Sequence, residues 1–290
     1  MTITPPARRF PLAQELVDMV LQDVVTAGVP KYKANILEEP GLAEVRKTLL
    51  ACTLVNRPFR CGAQRFLFSH IVVHDELRKL NSIHSALHSF PHLWLYIRTI
   101  KLCFSSPVRL SLRLHGVMDM LVKHPAINIR QLIIRGDPLQ SKEDPTSFAG
   151  LSMDLRQSIF VLDTSPSLSS LHLQDLWIPS FLLAQFPNLR TLVLERCSIS
   201  STRINEIDKH AFDSVENLHL IQCTNFFPLD FLNCAVPRDA DGRGWTKAWC
   251  NIKSLTYDFN RDTYCGLDHN ALTRFIECTG VANSIESLEL

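Results

Sequence analysis

An α/β fold with parallel strands is predicted by three features of this sequence. Three short amphipathic segments crowd into residues 1–74. Beyond them, one apolar unit occurs seven times along residues 75–290. Stretches with helical spacing lie ahead of several copies. Strand alternating with helix at a short period favours a parallel repeat array over a doubly wound sheet.

The first segment opens at Pro11, a residue suited to a first helical turn because its missing N–H costs nothing there. Leu12, Leu16, Met19 and Val20 then fall at i, i+4, i+7 and i+8, which is one helical face. Gly28 and Pro30 end it. The second segment runs from Leu42 to Asn56, with Leu50, Leu54 and Val55 apolar. After Pro58, the third repeats the spacing with Phe59, Ala63, Phe66 and Leu67. A module this small buries little surface alone, so its apolar faces need cover from elsewhere.

The order of these segments resembles the F-box. Phe10-Pro11-Leu12-Ala13-Gln14-Glu15-Leu16 is similar to its Leu-Pro opening and Glu-Leu-led helix. Leu49-Leu50-Ala51-Cys52-Thr53-Leu54-Val55-Asn56-Arg57-Pro58-Phe59 is similar to its second half, and Gln64 to Ile71 resembles the close of divergent fungal-type members. The resemblance implies binding to the Skp-type adaptor of a cullin (SCF) ubiquitin ligase. The adaptor-facing residues it implies are Pro11, Leu12, Leu16, Val20, Leu50, Leu54, Val55 and Phe59. Such an interface has an apolar centre and gains about 25 cal/mol per Å² of apolar surface removed from water.

The recurrent unit spaces three apolar residues with gaps of two and then one. It reads Ile97-x-x-Ile100-x-Leu102 and returns from Ile129, Leu168, Leu189, Val215, Ile252 and Ile285. It resembles the strand of a leucine-rich repeat, and Cys197 and Cys223 stand where that motif carries a buried Asn or Cys. The resemblance implies an irregular, right-handed solenoid, with spacings beyond the usual period taken as insertions. Helices are expected at Leu80 to Leu87, Trp177 to Phe186, Ile204 to Phe212 and Ala271 to Cys278, and loops at Ser141 to Ser147 and Pro237 to Trp245. The last apolar position is Leu290, where a polar cap is expected, so the last strand is either exposed or the repeat array shortened.

Alternate strand residues face opposite sides. The residues between the apolar positions therefore line one concave face. Those expected to meet a protein substrate are Lys101, Ile133, Arg135, His172, Val193, Glu195, His219 and Thr256.

With 30 basic and 29 acidic residues, the chain lacks the basic excess of a nucleic-acid binder. Nine cysteines without a C-x-x-C pair, and no signal peptide or long apolar run, point to a reduced cytoplasmic or nuclear setting and no membrane. His84, His88 and His92 fall at i, i+4 and i+8, but Pro91 is expected to end their helix first. Hydrolase, zincin and phosphate-loop signatures are absent. The expectation is a non-enzymatic substrate receptor with no catalytic residues, metal or cofactor. The other reading is a repeat scaffold with no ligase link.

Overall fold

The structure is a computed structural model. It describes residues 14–27, 40–74, 76–104, 112–123, 128–136, 146–147, 167–179, 188–200, 214–223, 251–258 and 284–289, with short pieces at 156–157, 159, 161–162, 186, 272–273, 275–277 and 282. The chain divides into two compact units, Met1–His70 and Ile71–Leu290. The sequence-based boundary was residue 74. Pro11, Leu12 and the segments expected at 204–212 and 237–245 lie outside the described residues.

The first unit holds three helices, α1 (Gln14–Ala27), α2 (Pro40–Cys52) and α3 (Arg57–Leu67). Helix α3 starts on an N-cap: the Asn56 side chain accepts from the Phe59 amide at 3.0 Å, and Pro58 occupies the first turn. Val17 and Leu21 are one turn apart on α1 and bury against Leu49 of α2 and Ala63 of α3. Helices α1 and α3 meet at Gly62, where a Cβ would lie 2.6 Å from Leu21 Cδ1 and 3.0 Å from Asp18 Oδ1. A side chain there would force Leu21 or Asp18 to shift. Arg65 also reaches across from α3 to Asp18 at 3.0 Å.

The second unit is built on an open, eight-stranded sheet in chain order. Its strands are β1 (His70–His74), β2 (Thr99–Cys103), β3 (Gln131–Arg135), β5 (Ser170–Gln174), β7 (Thr191–Glu195), β9 (Asn217–Ile221), β10 (Ser254–Asp258) and β11 (Ser287–Glu289). From β2 to β11 every pairing is parallel and in the same register. A smaller parallel sheet holds β4 (Thr146–Ser147), β6 (Leu176–Pro179) and β8 (Ser198–Ser200). Among the described residues, the helices of this unit include α4 (Leu77–Ser89), followed by a 3-10 turn at Pro91–Tyr96, and α5 (Leu112–Lys123). Among the described residues no helix is long and apolar enough to cross a membrane.

The seven apolar units form the seven strands from β2 to β11. Ile100, Leu132, Leu171, Leu192, Leu218 and Leu255 stand in one register row, and all are fully buried. Each contributes about 1.5–3 kcal/mol relative to an exposed position. Two further ladders lock the passes together. On the entry side, backbone amides step from pass to pass: Arg130 to Arg98, Ser169 to Arg130, Arg190 to Ser169, Glu216 to Arg190 and Lys253 to Glu216. Beside them, Ser167, Ser214 and Ser284 hydroxyls each donate to the carbonyl of the preceding pass.

On the exit side, Asp175, Arg196 and Gln222 take positive φ values of 54°, 49° and 52° directly after β5, β7 and β9. The chain turns there, and the next residue points inward: Leu176, Cys197 and Cys223 are all buried. The Cys197 thiol donates to the Leu173 carbonyl at 3.2 Å and the Cys223 thiol to that of Leu194 at 3.3 Å.

Three local expectations differ from the structure. Trp177 to Pro179 is strand, not helix, because Trp177 and Ile178 pair with Ser198 and Ile199 of the next pass. Thr146 and Ser147 are likewise paired rather than loop. Helix α5 was not anticipated: its inner residues Val117, Met118 and Leu121 are buried, but Gly116 interrupts the apolar pattern.

Candidate functional site

Each unit carries one surface that the sequence singled out. On the first unit, α1 is apolar on two sides. Val17 and Leu21 face the core, while Leu16, Met19 and Val20 are 51%, 63% and 51% exposed. Leu50, near the end of α2, is half exposed, and Leu54 and Val55 in the following turn are 82% and 64% exposed. That turn is held by Leu54 and Val55 amides bonding back to Ala51 and Cys52, and by Arg60 Nε donating to the Thr53 carbonyl at 3.0 Å. Phe59 differs from the other anticipated residues: it packs against the private core. Met19 was not among the residues singled out, although its place on the same helical face was the available signal.

On the second unit, the face between the apolar rows is not uniformly open. Lys101, Ile133, His172 and Glu195 are buried, whereas Arg135, Val193, His219 and Thr256 are half-buried. The middle residue of the strand is thus fully covered in β2, β3 and β5 and only partly covered in β7, β9 and β10. A partner approaching this face meets Val193, His219, Ile221 and Thr256 partly accessible. It meets Lys101, Ile133 and His172 only after rearrangement.

A polar network joins the two regions. Glu195 accepts from His172 Nε2 at 3.1 Å, from Gln174 Nε2 at 3.1 Å and from Arg196 Nη1. Because an ionised carboxylate only accepts, His172 Nε2 is the donor in this contact. His172 Nδ1 and Gln174 Oε1 are buried with no hydrogen-bond partner among the described residues. Arg196 turns its other edge to Asp175, with Nη2 2.9 Å from Oδ2, and Arg135 Nε approaches the same carboxylate at 3.7 Å. Burial pushes the Glu195 carboxyl up, but the His172 hydrogen bond and the Arg196 charge outweigh it and leave the carboxyl below its ordinary value. The Asp175 hydrogen bond, against the cost of burial, raises Arg196 further above its ordinary value. Burial lowers His219, and the nearby Glu289 charge opposes that shift.

Gln174, Asp175 and Arg196 were not anticipated as members of this cluster. A signal existed: Asp175 and Arg196 carry opposite charges at equivalent places of neighbouring passes, 21 residues apart. Burial likewise raises the Cys223 thiol to about 12 and Cys197 well above its ordinary value, so both are protonated and inert. The rings of His84 and His88 stack at 6.3 Å on α4, and His92 lies beyond that helix in the 3-10 turn. Among the described residues, no group of three His, Cys, Asp or Glu side chains is arranged to hold a metal.

No protein-family model matches this chain, and no curated protein matches it.

Proposed function

We propose that this chain is a substrate receptor of an SCF-type ubiquitin ligase, with an F-box-like first unit and a leucine-rich-repeat solenoid as its second. One observation carries the reading. The residues that the F-box resemblance assigns to the adaptor, namely Leu16, Val20, Leu50, Leu54 and Val55, stay exposed while their immediate neighbours Val17, Leu21 and Leu49 complete a private core. Exposed large apolar side chains at such density are unfavourable in water unless a partner covers them. Seven in-register strands with a serine ladder and inward-turned cysteines support the repeat reading of the second unit.

In this role the chain does no bond chemistry. It holds a target protein on the Val193–His219–Thr256 part of the face and a ligase scaffold on the helices, and the rate gain is proximity. The setting is cytoplasmic or nuclear, with no nucleic acid or membrane involved.

The test is a pull-down of the full chain with a Skp-type adaptor. Leu16→Asp and Leu54→Asp change exposed residues, so both variants keep the fold. Loss of binding in both supports the reading. A folded wild-type chain that fails to bind sinks it and leaves a repeat scaffold with no ligase link.

A further inference from the structure

His84 and His88 stand one turn apart on α4, and both are exposed. Their rings stack with centroids 6.3 Å apart and planes 16° from parallel. Among the described residues neither imidazole makes a hydrogen bond or an ion pair. Leu80 and Leu87 supply the buried side of the helix, so α4 is anchored without either ring. His92 is placed differently. It lies beyond the helix in the 3-10 turn, and its ring makes T-shaped contacts with Phe90 and Tyr96.

The surroundings suit a cation held by nitrogen. No Asp, Glu, Lys or Arg lies between residues 80 and 97. The ligand chemistry of this stretch is therefore imidazole, with no carboxylate beside it and no lysine or arginine of the same stretch to repel a cation. His88 stands in the last turn of α4, where the aligned peptide dipoles favour positive charge. His84 also borders a pocket of about 290 Å³ between α4 and α5, where a Cβ on Gly116 would meet nothing within 4 Å. That side of the ring has room for water.

We propose that His84 and His88 form a two-point surface site for a divalent ion of the imidazole-preferring class, Zn²⁺, Ni²⁺ or Cu²⁺. Two imidazoles at i and i+4 on one helical face can meet at one ion. A tetrahedral ion with nitrogen at about 2.0–2.1 Å sets the two nitrogens about 3.3 Å apart and the ring centroids about 5.2 Å apart. The rings reach that by closing about 1 Å, within the broad χ2 range of an exposed histidine. Water completes the coordination, so the ion exchanges, unlike the ion of a four-ligand structural site. Because its ligands lie on successive turns, the ion clamps the end of α4. Mg²⁺ and Ca²⁺ prefer oxygen and find no carboxylate in this stretch. The site is independent of the ligase reading, and neither outcome of its test bears on adaptor binding.

The experiment uses the full chain with its accessible thiols alkylated. It is titrated with NiCl₂ by calorimetry and with one equivalent of CuCl₂ by electron paramagnetic resonance. His84→Ala and His88→Ala should each weaken one equivalent of Ni²⁺ binding by at least about tenfold, because the second tethered ligand is lost. Cu²⁺ should couple to two nitrogens in the wild type and to fewer in either variant. His92→Ala should change nothing. Ni²⁺ should slow hydrogen exchange of the 80–90 segment in the wild type and in neither single variant. Both substituted residues are exposed, so melts of the variants without metal should match the wild type. The proposal is overturned if the His84→Ala and His88→Ala variants bind Ni²⁺ as the wild type does. It is also overturned if His92→Ala weakens binding equally, or if Mg²⁺ at matched concentration displaces Ni²⁺.

Discussion

His172 and Glu195, on neighbouring strands, meet 3.1 Å apart with both side chains buried. Glu195 is also the acceptor for Gln174 and Arg196, so one carboxylate organises the polar centre of the sheet face.

Glu195→Ala should therefore cost about 2–5 kcal/mol, because three donors lose their acceptor in a buried site. Glu195→Gln keeps the shape but puts an amide donor where donors already converge, and it should cost a similar amount. The folded value of Glu195 lies below its ordinary one. Its contribution is fully present above the unfolded value of about 4.3 and is lost as pH falls through the folded value. Urea midpoints of wild type and Glu195→Gln should accordingly converge as pH falls below about 4.3. Parallel curves across that range would contradict the network.

Equivalent register positions offer a matched pair. Leu218 is fully buried, whereas Leu288 on β11 is 48% exposed. Leu218→Ala should cost about 2–5 kcal/mol and Leu288→Ala less than about 1 kcal/mol. Equilibrium denaturation of the two variants decides this.

Gly62→Ala should destabilise the first unit. Overpacking against Leu21 costs about 1–3 kcal/mol, and the helix propensity gained by replacing glycine returns about 1 kcal/mol at most. Gly62→Val should be worse. The far-ultraviolet circular dichroism melt of each variant is the measurement.

The residues at positive φ separate backbone from side-chain effects. Gln222 is exposed and its side chain makes no described bond, so Gln222→Gly should be neutral or stabilise by up to about 1 kcal/mol. Arg196→Gly relieves the same backbone but removes the bonds to Asp175 and Glu195, and it should destabilise. Thermal midpoints moving in the same direction for both variants would contradict this division.

Cys197 and Cys223 should resist thiol reagents in the folded protein at pH 8, since burial keeps both protonated. The partly exposed Cys52, Cys61 and Cys103 should be labelled first. Mass mapping of alkylated peptides, before and after denaturation, checks the order.

The sequence by itself determined the strands. A period-2 apolar pattern can bury only one face, so seven copies of it became seven parallel strands in a common register from Ile100 to Leu288. Helices α1 and α3 were legible for the same reason, in the 3.6-residue period of their apolar positions. Only the tertiary structure decided how each apolar or polar face is used. On α1 the periodicity marked Leu16 and Val20, but packing against α3 chose Val17 and Leu21 as the core, because Gly62 admits the helix on that side. On the sheet, alternation assigned Lys101, His172 and Glu195 to an open face, yet they are buried while Val193 and Thr256 are not fully covered. Alternation states which side of a strand a residue takes. Whether that side meets water depends on chain segments far away in sequence, and a local pattern carries no record of them.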